Sequence, residues 1–445
     1  MLLNRLTRTV SLSSFLLVTL MATHTTSTAQ SAAPTLPSPD SVRLDRLQLM
    51  QGFPIPAEKQ VTAANFLTEY PKVRWAFHHM RELLPSRQIA RGPGAAVPLT
   101  AGDDRRAEID ALRFTGPNGV SLSFADYLTA SYADATLIMK DGQVIYEAYH
   151  EGMPERNPHM MWSMTKSFAG LLATQLIEEG VLDAQAQVTD YVPELKGSGW
   201  EGATLQQLLN MTADIDYSEV YADAESDVIK YAFAAGMLPA PADFAGQREL
   251  YGYLPTIGAA GEHGERFMYR TVHTEVLGWV LRKATGKHFA DLISERIWSK
   301  LGTEHDAYVL LDRHGTEWAG AGMNASLRDL ARFGEMMRLE GRYNGEQVVS
   351  ADVVKAIREG ADREAFKAAG RDFQPGYSYR NQWWISHNKD GAYEALGVHG
   401  QMIHVNPAVG LVVVRLSSHP VASSAHTFPT TLPAMQALAD LLRKP

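Results

Sequence analysis

The chain has 445 residues, 45% hydrophobic and 20% charged, with a formal net charge of −9. That composition suits a globular protein with one large core or two sub-domains, and the lack of any concentrated basic stretch excludes a nucleic-acid binder. There is no cysteine, so disulfide scaffolds, thiolate metal sites and cysteine nucleophiles are excluded as well.

The first 29 residues differ from the rest. Arg5 and Arg8 make a basic start, "VSLSSFLLVTLMA" (10–22) is a short apolar run, and "STA" (27–29) fits a small-x-small cleavage site. This is the pattern of a signal peptide, and the apolar run is shorter than the roughly 20 residues that span a bilayer. The expected location is therefore the periplasm or the medium, with no integral membrane span once the leader is removed. Residues 30–105 are predicted to be an N-terminal extension. Its first half is a linker or draped arm rich in Ala, Pro, Ser and Thr, and its second half holds helical patches such as "VRWAFHHMRELL".

Residues 106–445 are predicted to form the main domain. "ATLIMK" and "QVIYEAYH" flank Asp141-Gly142, a favoured two-residue hairpin turn. Helical patterning follows, and the helical lobe is expected over about 165–320. "NASLRDLARFGEMMRLEG" (324–341) reads as one more helix, with Ser326 and Asp329 as a capping pair and Gly341 at the stop. Strands return in "NQWWISHN", "EALGVHGQMIHVN" and "GLVVVRLSSH", with Asn406-Pro407 turning the last pair, and "TTLPAMQALADLLRKP" closes as a helix. Strands on both sides of a helical block join into one antiparallel sheet flanked by helices, with the block inserted as an all-helical lobe: an α/β plus α fold. A cleft between sheet and lobe is the natural place for a site.

The stretch "HMMWSMTKSFAGLLATQLIEEG" (159–180) puts Ser163 and Lys166 three positions apart at the start of an apolar helix, hence on one face. Burial and the positive end of the helix dipole both lower a lysine pKa, and a neutral lysine beside a hydroxyl is a general base for a nucleophile. The alternative is a serine that caps the helix and a lysine that reaches the surface. The remaining histidines lack metal spacing. There is no H-E-x-x-H, and His387, His399 and His404 lie on a strand-rich stretch without nearby paired carboxylates. No metal or other cofactor is expected.

With its S-x-x-K motif, the "MKDGQVIYEAYHEG" hairpin before it, and "ATLQQLLNMTADIDY" and "GAGMNASLRDLARFGEMM" after it, the chain resembles the serine β-lactamase and penicillin-binding-protein superfamily, in its class C and esterase-like branch. "NMTADIDYSEVY", "YRTVHTEVLGWV", "QWWISHN" and "GVHGQ" look like segments of the 6-aminohexanoate-dimer hydrolases within it. The resemblance implies a β-lactamase/transpeptidase-like fold and a Ser163–Lys166–Tyr269 set, with Tyr269 sharing a proton network with Lys166. Thr271 stands where many relatives carry Asn, which leaves that hydrogen-bonding role open. Gly397 matches the glycine of the third family motif. The Ser163 N–H then forms the oxyanion hole with that of Val398 or, in another register, of Gln401. Neither register restores the lysine of that motif, which makes lactam substrates less expected. Tyr221, Trp384, His399 and Gln401 are the candidate substrate-binding residues, with His399 more often a structural or wall residue than a base. Trp383 and Trp384 face opposite ways, so only one lines the cleft.

The expected function is an exported serine hydrolase that cleaves a linear amide or short-chain ester through an acyl-enzyme, as a monomer or homodimer. A D-alanyl-D-alanine carboxypeptidase or β-lactamase is the alternative within enzymes, and an acylated ligand sensor the alternative outside them.

Overall fold

The computed structural model describes residues 36–150 and 152–443. The predicted signal peptide lies outside the described residues. Pro37 onward belongs to one compact unit, so the expected extension, from Pro37 to residue 105, shares that unit with everything that follows.

An eight-stranded sheet is the frame. In chain order its strands are β1 (Thr100–Ala101), β2 (Ala133–Lys140), β3 (Gln143–Tyr149), β4 (Ser378–Arg380), β5 (Trp383–Ile385), β6 (Tyr393–Gly397), β7 (Gln401–Asn406) and β8 (Leu411–Ser417). In space they run β4-β5-β6-β7-β8-β2-β3-β1. The strands before and after the helical block meet where β8 pairs with β2, Leu411 opposite Lys140. The expected all-antiparallel sheet differs at one edge: β1, from the expected extension, pairs parallel with β3. The extension also supplies Ser86–Ile89 to a second sheet, which includes Ala307–Leu310, Met323–Ala325 and His159–Met160.

The β2–β3 hairpin turns at Asp141 (φ 50°) and Gly142 (φ 81°), the two positive angles that a tight primed turn requires. Alternation in the central strands sends side chains to two cores. Leu137, Met139, Val412 and Val414 face the lobe-side core, while Ile138, Leu411 and Val413 face a second core with the C-terminal helix. Trp383 and Trp384 split between the two cores in the same way.

Four helices matter for the site and its support: α1 (Met164–Glu178), α2 (Thr271–Thr285), α3 (Leu327–Arg338) and α4 (Phe428–Leu442). Ser326 caps α3 as expected, accepting from the Asp329 N–H. In α1, a Cβ on Gly170 would sit 2.1 Å from the Asn381 carbonyl oxygen, so glycine lets α1 lie directly against the chain entering β5. "EALGVHGQMIHVN", expected as one strand, is two antiparallel strands. The chain reverses at Val398–Gly400, where His399 (φ 62°) and Gly400 (φ 95°) take left-handed angles. Among the described residues, no helix is long and apolar enough to cross a membrane.

Candidate active site

Ser163 sits at the N-cap of α1, but its side chain makes no capping bond. The preceding Trp162 adopts φ 50°, a left-handed angle that a bulky residue rarely takes, which re-aims the chain as it enters the helix. The serine is thereby left free of the helix end, and the capping alternative falls away.

Lys166 is buried, 1% exposed, so its head group does not reach the surface. Its Nζ lies 3.1 Å from Ser163 Oγ, 3.2 Å from Thr271 Oγ1 and 2.6 Å from the Gly320 carbonyl oxygen. The Thr271 hydroxyl donates to Glu219 Oε1 at 2.6 Å, so toward Lys166 it is an acceptor. Gly320 O accepts only. A neutral amine has two N–H donors and one lone pair. With Thr271 and Gly320 taking the donors, the lone pair points along the third direction, at Ser163 Oγ. Burial lowers the Lys166 pKa to about 8, against an opposing pull from the Glu219 and Glu275 carboxylates.

Glu275, on α2, completes the shell behind the lysine. It accepts from Tyr231 Oη at 2.7 Å and from the Gly320 N–H at 3.1 Å. Burial raises its pKa, with Tyr231 and Lys166 pulling the other way. One residue, Gly320, thus contacts both side chains, its N–H on Glu275 and its carbonyl oxygen on Lys166.

Tyr269 lies just before α2, with its ring centroid 5.3 Å from Lys166 Nζ. Burial raises the phenol pKa, Glu219 adds to the rise, and hydrogen bonding with Ser163 offsets part of it. Ser163 therefore has a basic nitrogen and a phenol as neighbours. Trp384 stacks on Tyr269 at 5.3 Å between centroids and 25° between planes, and Tyr379 stands edge-on to both. Tyr221 is 38% exposed at the rim, with its hydroxyl on Glu219 Oε1 at 2.6 Å.

Gly397 ends β6 beside this group, and a Cβ there would lie 2.5 Å from the Met161 carbonyl oxygen. That close approach brings the Val398 turn alongside the entry to α1. Gln401 is different. It is 1% exposed, and its amide is spent on Ser417: Nε2 donates to the carbonyl oxygen at 2.6 Å and Oε1 accepts from the N–H at 3.0 Å. It ties β7 to β8, so its side chain is not in the cleft wall. His399 is also buried, with Nδ1 2.7 Å from the His419 carbonyl oxygen and its ring packed edge-on to Phe77. Burial lowers its pKa to about 4, so it is a neutral packing residue in the turn rather than a strand residue on the cleft. His404 Nδ1 lies 2.8 Å from the single carboxylate of Glu394, at Oε1, inside the sheet. Among the described residues, no group of three or more His, Asp or Glu is placed to hold a metal ion.

Sequence reasoning missed Glu219, Glu275 and Gly320. Glu219 lies two residues from Tyr221 in a segment already singled out, but nothing in its spacing says that it reaches Thr271.

Comparisons with known proteins agree with this architecture. The beta-lactamase family model matches residues 125–430. A 6-aminohexanoate-dimer hydrolase from Paenarthrobacter ureafaciens is 34% identical over 365 residues, 80% of this chain and 88% of that protein. A solved Bacillus anthracis structure described as a 6-aminohexanoate-dimer hydrolase superposes with a TM-score of 0.79 at 31% identity, covering 87% of this chain and 99% of that one. A more distant structure, EstCE1, a hydrolase with promiscuous acyltransferase activity, shares the fold at a TM-score of 0.56 and 17% identity, covering 71% of this chain and 96% of its own.

Proposed function

The chain belongs to the beta-lactamase family, and from that premise we propose that it is a serine hydrolase of linear amides or short-chain esters, working through a covalent acyl-enzyme. The observation that carries the reading is the Lys166 amine, held by Thr271 and Gly320 so that its remaining direction meets Ser163 Oγ. In this reading Lys166 takes the Ser163 proton as Oγ attacks the carbonyl carbon. The Ser163 and Val398 N–H groups hold the oxyanion, each such donor contributing about 3 kcal/mol in the transition state. Tyr269, hydrogen-bonded with Ser163, passes a proton to the departing amine or alcohol. Water then attacks the acyl-enzyme, with the same groups moving its proton, and releases the acid.

The similarity to 6-aminohexanoate-dimer hydrolases favours an amide between flexible, linear halves. The leader pattern of residues 1–29 supports export to the periplasm or beyond. Hydrolysis of p-nitrophenyl acetate by the wild type and by Ser163→Ala, with the acetyl-enzyme followed by intact-protein mass spectrometry, tests the mechanism. The variant should lose turnover and the +acetyl species together. Undiminished turnover by Ser163→Ala ends the proposal. A burst without steady turnover supports the sensor alternative, and a stable adduct with labelled penicillin supports the peptidase alternative.

A further inference from the structure

Ser163 and Val398 lie far apart in the chain, and an oxyanion hole needs their N–H groups aimed at one point. Among the described residues, neither N–H donates to an acceptor of the protein. A side chain of the N-terminal segment sits between their neighbours. Phe77 follows the short helix Val73–Ala76 and is fully buried. Its ring stands edge-on to Trp162, the residue before Ser163, with centroids 5.5 Å apart and planes at 76°. It also stands edge-on to His399, the residue after Val398, at 5.2 Å and 67°. Trp162 and His399 complete the trio, 5.5 Å apart.

Trp162 (φ 50°) and His399 (φ 62°) both take left-handed angles, which bulky residues adopt only where their surroundings hold them. One phenyl ring packs on both. The backbone supports the same contact. The Phe77 carbonyl oxygen accepts from the Met160 N–H at 2.7 Å, and on the other side the His399 N–H donates to the Ala422 carbonyl oxygen at 3.0 Å. Phe77 is itself anchored, since Arg74 of the preceding helix pairs with the buried Asp134.

We propose that Phe77 is a positioning residue for the oxyanion hole. Its ring locks the left-handed angles at Trp162 and His399 and so fixes the Ser163 and Val398 N–H groups relative to each other. The N-terminal segment is then part of the catalytic apparatus and not only a cover on the domain. This rests on the serine-hydrolase reading above.

The test uses the full chain, p-nitrophenyl acetate and its thiono analogue, in which sulfur replaces the carbonyl oxygen. The two share a leaving group and differ in the atom that takes up negative charge, and N–H donors hold oxygen more strongly than sulfur. The readout is the ratio of kcat/KM for the oxygen over the sulfur ester. The wild-type ratio should exceed one and fall about 10-fold in Phe77→Leu. Removing a donor outright costs roughly 100- to 1,000-fold, and here the donors are displaced, not deleted. Phe66→Leu, buried in the same segment but outside the ring trio, should keep the wild-type ratio. If Phe77→Leu does not fold, Phe77→Met fills the space with a flexible chain and is read in the same way. An unchanged ratio overturns the inference even where both rates fall together, because a purely structural role predicts that. An equal fall in Phe66→Leu overturns it too. A wild-type ratio of one overturns the oxyanion hole and the inference with it, while loss of turnover in Ser163→Ala would leave the acyl-enzyme reading standing.

Discussion

Thr271 accepts a hydrogen bond from Lys166 at 3.2 Å while donating one to Glu219 at 2.6 Å. A single hydroxyl therefore links the buried amine to a carboxylate and fixes which way the amine presents its lone pair. At this position a short hydroxyl side chain holds the lysine directly, with the Glu219 carboxylate behind it. Thr271→Val keeps the shape and removes both bonds. Its kcat/KM on p-nitrophenyl acetate should fall about 10- to 100-fold, in line with hydrogen bonds to charged groups, while Thr271→Ser should stay close to wild type. Full activity in Thr271→Val would mean that the amine needs no such guide.

The pH profile follows from the buried lysine. Only the neutral amine can take the Ser163 proton, so log kcat/KM should rise with a slope of about one up to the Lys166 pKa and level off above it. Burial favours the neutral form and places the midpoint near 8 rather than near the ordinary lysine value. Rates measured between pH 6 and 10 on a neutral ester would show this limb. A midpoint near that of an exposed lysine would contradict the role given to Lys166.

Glu275 sets part of that midpoint. Its carboxylate favours the charged lysine and so raises the Lys166 pKa against the effect of burial. Glu275→Gln retains an acceptor for the Gly320 N–H and the Tyr231 hydroxyl and removes the charge. The acid limb of the profile should therefore move to lower pH, by as much as about one unit for a partner worth ~1.4 kcal/mol. A shift to higher pH, or none, would show that the two groups do not interact.

The N-terminal segment is tied to the domain by buried charge. Arg74 Nη1 is 3.0 Å from Asp134 Oδ1, and His159 Nε2 is 3.1 Å from Asp134 Oδ2, all three side chains being essentially inaccessible. Arg74 also holds the Val42 carbonyl oxygen and the Ser418 hydroxyl. Asp134→Ala strands a buried cation and should cost about 3–5 kcal/mol in urea unfolding. Burial alone would raise the Asp134 pKa, but Arg74 and His159 outweigh it and hold the group below its ordinary value. The Asp134 contribution is therefore complete above the unfolded carboxyl pKa of about 4 and is lost as pH falls through the lower folded one. An Asp134→Ala variant as stable as wild type at pH 7 would show that the pair adds nothing.

Much of this protein is legible in the chain itself, because local periodicity and turn chemistry act over a few residues. Asp141-Gly142 marks its hairpin, Ser326 its cap, and the spacing from Ser163 to Lys166 their shared helix face. The adjacent tryptophans necessarily diverge, since consecutive strand residues point to opposite faces. What the chain could not disclose are contacts between residues far apart along it. Lys166 meets Gly320, Thr271 meets Glu219, and Arg74 meets Asp134 only through the tertiary fold. The turn at Val398–Gly400 escaped for a related reason: Gly400 is a turn residue, but the left-handed angle of His399 beside it is held by ring packing and the distant His419 carbonyl. Hydrophobic period and helix face are properties of neighbours in sequence. The acidity of a buried lysine is a property of whatever the fold packs around it, and that was decided by the tertiary structure alone.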